Sequence, residues 1–150
     1  MFFTGICDEA GKTLDKQFQA HQELGWQFVE LRKLGREGNK NLSTISEEEF
    51  EQLVEKLNNA QLKVSCYASK IGDWSRTITG DFQLDLEDLK KAIPRMQKLN
   101  IPFIRCMSYV NDNLSDQEWK KEACRRMKEL ARIAADNGIT LVHENCTGWG

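Results

Sequence analysis

Leu141-Val142-His143-Glu144-Asn145-Cys146-Thr147-Gly148-Trp149-Gly150 is the last stretch of this 150-residue chain, a short apolar run that ends on an acid and is followed by a loop without a further helix. It comes straight after a helical pattern stopped by Gly138, and a β-rich run entered from a helix end reads as one strand of a parallel sheet. An alternating chain that stops on a strand predicts a half-built barrel.

Working back from that run, β-rich segments recur at Phe3 to Cys7, Gln27 to Leu31, Leu62 to Cys66, Pro102 to Cys106 and Thr140 to Glu144. Helical periodicity fills the gaps. Ser46-Glu47-Glu48-Glu49 is a capping box before an apolar face of Phe50, Leu53, Val54 and Leu57. Ser115-Asp116-Gln117-Glu118 repeats it before Trp119, Ala123, Met127, Leu130 and Ala134. The first helix is predicted from Thr13 to just before Gly25, with Leu14, Phe18 and Leu24 facing inward. A third runs from about Asp85 to Leu99 and carries Pro94, which predicts a kink or a second start.

Strands joined only through helices are parallel, with right-handed crossovers. A doubly wound sheet and a closed barrel both satisfy that rule. The first strand-to-helix turn, Cys7-Asp8-Glu9-Ala10-Gly11-Lys12, has neither G-x-G-x-x-G nor a phosphate-loop pattern, which speaks against nucleotide-binding versions. The expected fold is therefore α/β, a parallel (β/α) TIM-barrel type with the first five strands and four helices of eight. Residues 1–150 form a single partial domain, since a complete barrel takes about 250 residues.

Composition narrows the function classes. A formal net charge of -2 and a pI near 5.8 provide no large positive field, so no nucleic-acid partner is expected. No segment approaches the ~20 apolar residues of a membrane span, and Met1-Phe2-Phe3-Thr4-Gly5 is too short for a signal peptide. The five cysteines are odd in number and contain no C-x-x-C pair, which predicts reduced thiols in the cytoplasm. Cys7, Cys66, Cys106 and Cys146 fall near strand ends, either as small buried fillers or as soft-metal ligands.

In parallel α/β folds function gathers outside the carboxyl ends of the strands. That selects Asp8, Glu9, Glu30, Arg32, Cys66, Tyr67, Arg105, Met107 and Glu144. An acid closing a strand can hold a hard divalent cation or take a proton next to a polarised carbonyl. The plain alternatives are a Glu30–Arg32 charge pair at the mouth and a solvated Glu144 with no basic neighbour in sequence. His21 reads as a surface or half-buried structural residue on the first helix, and His143 points away from Glu144 toward the helices. The long connection 69–81 belongs on the same face and carries Trp74, and its Lys70 and Arg76 either hold a phosphate or are ordinary loop charges. Trp149 has the same status as Trp74.

Gln22-Glu23-Leu24-Gly25-Trp26-Gln27-Phe28-Val29-Glu30-Leu31-Arg32, together with Gly138-Ile139-Thr140-Leu141-Val142-His143-Glu144-Asn145, resembles the xylose isomerase-like TIM-barrel superfamily of sugar phosphate isomerases and epimerases. The resemblance spans the chain but only the family's first five strands. It implies that Glu144 is a metal ligand and an acid/base carboxylate, and that Glu30 matches the second-strand acid. Glu30, Arg32, Tyr67, Trp74 and Arg105 would contact a small sugar or sugar phosphate. A divalent metal (Mn, Mg, Co or Zn) is implied, incompletely held by these strands because its other ligands lie on strands six to eight. The metal would polarise the carbonyl and stabilise an enediolate. Two alternatives stand beside this reading: a non-catalytic half-barrel that self-assembles through its exposed strand edges, and a zinc apurinic endonuclease-type nuclease, which two histidines and no basic excess disfavour.

Overall fold

A computed structural model describes residues 1–35 and 40–145. Four strands, β1 (Phe28–Leu31), β2 (Lys63–Ala68), β3 (Phe103–Cys106) and β4 (Thr140–His143), form one parallel sheet in the order β1-β2-β3-β4. Four helices alternate with them: α1 (Leu14–Glu23), α2 (Glu47–Ala60), α3 (Gln83–Lys98) and α4 (Asp116–Asp136). Cys146 and Trp149 lie outside the described residues.

Local chemistry explains the helix bounds. Thr13 caps α1, and Ser46 and Ser115 each close a reciprocal capping box with Glu49 and Glu118 at α2 and α4. Phe18 is buried as expected, but Leu24 is 63% exposed, because it sits on the C-cap where the chain turns away from the core. Pro94 neither breaks α3 nor restarts it, and α3 runs unbroken from Gln83 to Lys98. The apolar stripe Leu89, Ala92, Ile93 and Met96 stays buried on both sides of the proline, so packing outweighs the one backbone bond lost.

The expected first strand is not formed. Phe3 to Cys7 contributes a single bridge, Ile6 to Glu30, with the Glu30 N–H bonded to the Gly5 carbonyl at 2.8 Å. A 3-10 turn, Cys7–Glu9, then takes over. Gly5 lies inside this segment, where a residue without a side chain weakens a strand, and the turn at Cys7 ends it. Phe2 and Phe3 remain exposed.

The two faces of the sheet differ. Val29, Leu31, Val64, Tyr67, Ile104 and Cys106 join the helices in one apolar core. Glu30, Ser65, Cys66, Phe103, Arg105 and Val142 lie on the opposite face, where they line an open groove with Phe2 and Thr4. Between Val29 and Glu30 the register with β2 slips by one residue, from Val64 to Cys66. Ser65 is the extra residue of this bulge, with its hydroxyl on the Val29 carbonyl at 3.1 Å.

Residues 69–81 are laced onto the segment that follows β3. Met107, Tyr109 and Ile78 donate backbone N–H groups to Ile71, Gly72 and Val110 at 3.0, 2.8 and 2.8 Å. Gly72 lies at φ +67°, and a Cβ there would meet the Met107 carbonyl oxygen at 2.2 Å, so only glycine fits. Beneath, Arg76 donates to Asp88 at 2.8 Å and stands 3.6 Å from the buried Asp85. The loop carrying Trp74 is thereby fixed over the carboxyl ends of β1–β3.

Candidate functional site

Glu30 and Arg105 occupy the third positions of β1 and β3, and Glu144 follows β4 directly. Parallel pairing brings the last two together: the Glu144 N–H bonds the Cys106 carbonyl at 2.9 Å, and the Arg105 Nε donates to Glu144 Oε2 at 3.0 Å. Glu144 therefore does have a basic partner, supplied by the neighbouring strand rather than by nearby sequence. Arg105 is buried and Glu144 exposed. Burial raises the Glu30 carboxyl above the usual carboxylate range; Arg105 draws it back down and Glu144 pushes it up, so all three charges share one field.

The expected Glu30–Arg32 pair is replaced by another. Arg32 lies past the strand end and grips Asp8 with two parallel bonds, Nε to Oδ1 at 3.0 Å and Nη2 to Oδ2 at 3.0 Å, and also contacts Glu9. A planar guanidinium matches a carboxylate edge-on, and the 3-10 turn presents Asp8 in that pose. Asp8 and Glu9 thus serve as counter-charges.

Tyr67 stands apart from the other candidates. It is 1% exposed on the helix side of β2, and its hydroxyl donates to Asn41 Oδ1 at 3.1 Å. Trp74 is 60% exposed and shares a groove of about 350 Å³ with Arg32, Lys70, Arg105 and Asn41. Arg76 is held by Asp88 and does not line that groove. His21 is buried rather than at the surface, with Nδ1 2.9 Å from the Gln17 carbonyl; His143 is bonded through Nε2 to the Ser108 hydroxyl at 2.5 Å.

Asn41 is the site residue that sequence reasoning missed. It precedes a helix cap, without the strand-end position that marked the others.

Cys7, Cys66 and Cys106 are buried, and burial pushes each thiol up to about 12, so they are packed as neutral thiols. Among the described residues no three His, Cys, Asp or Glu side chains converge as a metal-binding group. Glu144 is engaged by Arg105, and a guanidinium between two carboxylates is the wrong neighbour for a hard cation that takes six or more oxygens. The described residues do not by themselves fit a metal centre. No described helix is long and apolar enough to cross a membrane.

A parallel sheet alternating with helices, with charged groups gathered at the strands' carboxyl ends, defines a barrel-type α/β protein. The chain belongs to the xylose isomerase-like TIM barrel family, whose model matches residues 18–150. Solved structures carry the same fold. A xylose isomerase-like TIM barrel protein from Mycobacterium smegmatis in complex with magnesium is 16% identical, with a TM-score of 0.70 over 95% of this chain and 54% of that one. A D-tagatose 3-epimerase-like protein is 16% identical, with a TM-score of 0.71 over 99% of this chain and 54% of that one. A family 2 AP endonuclease from Brucella melitensis is 15% identical, with a TM-score of 0.66 over 95% and 54%. This chain thus spans about half the length of the solved structures it matches. A comparison with curated protein sequences found no match.

Proposed function

We propose that this chain carries a proton-transfer site of a sugar or sugar-phosphate isomerase or epimerase. One observation carries the reading: two carboxylates, Glu30 and Glu144, flank the buried Arg105 on the open face of the sheet. A carboxylate raised by burial has a proton affinity suited to removing a hydrogen next to a ketose carbonyl and returning it. Glu144 and Glu30 are the acid/base pair of this proposal, and Arg105 offsets the negative charge that develops on the enediolate oxygens.

Substrate contacts fall to Arg32, Arg105 and Trp74. Tyr67 acts from behind by orienting Asn41. A divalent cation belongs to the proposal because a solved structure of this fold holds magnesium, and Glu144 would be its ligand only with the bond to Arg105 released.

The test is proton exchange. The natural protein, incubated with a ketose and its 5-phosphate in deuterated water with and without Mn²⁺, should incorporate deuterium at the carbon next to the carbonyl, and Glu144→Gln should abolish it. Absence of exchange under both conditions sinks the proposal. Incision of an abasic duplex in its place would move the assignment to the nuclease side of the family.

A further inference from the structure

Five cationic side chains gather in the groove that Trp74 lines. Arg32, Lys33, Lys40, Lys70 and Arg105 line it against one carboxylate, Asp73. Three of these cations hold acids that do not line the groove, Arg32 with Asp8, Lys40 with Glu49 and Arg105 with Glu144. Asp73 is occupied by the Ser75 N–H at 2.8 Å and the Ser75 hydroxyl at 2.6 Å. Lys33 and Lys70 have no ion-pair partner among the described residues.

A second observation is independent of the charges. Asn41 is 2% exposed and lines this groove. Its Oδ1 accepts from the Ser43 N–H at 2.9 Å, the Ser43 hydroxyl at 2.7 Å and the Tyr67 hydroxyl at 3.1 Å. With the Thr44 hydroxyl at 3.4 Å, four donors on one oxygen fix the amide's orientation. Its Nδ2 is then a buried donor without a partner among the described residues, and such a donor costs about 1–3 kcal/mol unless something accepts from it.

We infer that this groove is the subsite for the phosphate of a phosphorylated sugar. This narrows the isomerase reading above and rests on it for the sugar. Neutral sugar hydroxyls both donate and accept, whereas a phosphate monoester at neutral pH is almost purely an acceptor, the complement of ammonium, guanidinium and an orphan amide N–H. A volume of about 350 Å³ holds one small molecule, and the exposed Trp74 offers an apolar face to the ring or chain carbons. Arg105 lines both this groove and the face that carries Glu30, so a substrate whose phosphate sits under Trp74 has its carbonyl end directed to the carboxylates.

Calorimetric titration of the natural protein tests this without turnover. D-ribulose 5-phosphate should bind at least about tenfold more tightly than D-ribulose, with inorganic phosphate competing. Lys70→Gln and Lys33→Gln should each weaken the phosphorylated ketose about fivefold and leave D-ribulose unchanged, with Lys70→Arg restoring the loss. Equal affinity for the two ketoses, or indifference of both lysine variants, overturns the subsite. A keto-sugar acid of equal length binding as tightly as the phosphate overturns it in favour of a carboxylate, and tighter binding of a single-stranded oligonucleotide overturns it in favour of nucleic acid. Phosphate preference without any deuterium exchange would keep the subsite and sink only the isomerase reading.

Discussion

The Arg105 guanidinium and the Glu144 carboxylate meet at 3.0 Å across adjacent parallel strands, the arginine buried and the glutamate exposed. The pair is therefore asymmetric: the cation is fixed by the fold, and the carboxylate can leave it for a substrate.

Glu144→Gln should cost at most about 1 kcal/mol of stability, because an ion pair with one exposed member contributes little. Deuterium exchange should fall at least about 100-fold, the scale of a lost general base. Urea denaturation and the exchange assay on one preparation separate the two effects; a large stability loss with exchange intact would mark Glu144 as structural.

Glu30 has a pH signature. Its folded-state pKa is raised by burial, so the folded chain holds this proton more tightly than the unfolded chain does. That contribution is full below the unfolded pKa and is lost as pH rises through the folded one. Glu30→Gln removes the dependence, so its stability relative to wild type should improve between pH 4 and pH 7. A difference that stays flat across this range contradicts the assignment.

Arg76→Ala should destabilise by about 2 kcal/mol at pH 7, since it strips the charged partner from Asp88 and leaves the buried Asp85 facing it. Asp85 is raised by burial, so acid neutralises it readily. The deficit should accordingly shrink at pH 5 in parallel urea titrations, and a deficit that does not change with pH would point to lost packing instead.

Two glycines at similar φ separate backbone strain from collision. Gly138 sits at +73° with nothing within 4 Å of a Cβ, whereas Gly72 at +67° faces the Met107 oxygen. Gly138→Ala should cost about 1 kcal/mol, and Gly72→Ala about 3 kcal/mol. Thermal melts of both variants test the ordering.

Much of the fold was legible because its signals are local. Both capping boxes and the apolar stripes of α2 and α4 stand where their spacing put them, and the four paired strands follow helix ends. Three features resisted for one reason: each depends on residues distant in sequence. Phe3 to Cys7 is β-rich yet meets β1 through a single bridge, Ile6 to Glu30. Arg32 found Asp8 rather than Glu30 because the 3-10 turn moved an acid into reach. Arg105 and Glu144 are partners only once β3 and β4 are aligned. Within the candidate site, strand-end position marked Glu30, Arg105 and Glu144, while Asn41 had no pattern to announce it.

The bulge at Ser65 decides which way Tyr67 points. Counted from the core-facing Val64, unbroken alternation would send Tyr67 to the open face and Cys66 into the core, and the extra residue inverts both. The loss of the Ser65 codon would leave Val64, Cys66 and Tyr67 in plain alternation, with Cys66 still opposite Glu30 on the open face and Tyr67 still opposite Leu31 in the core. At this sheet a reading-frame-preserving deletion can therefore straighten the strand while its core and open faces keep their residues, a change that no point substitution offers.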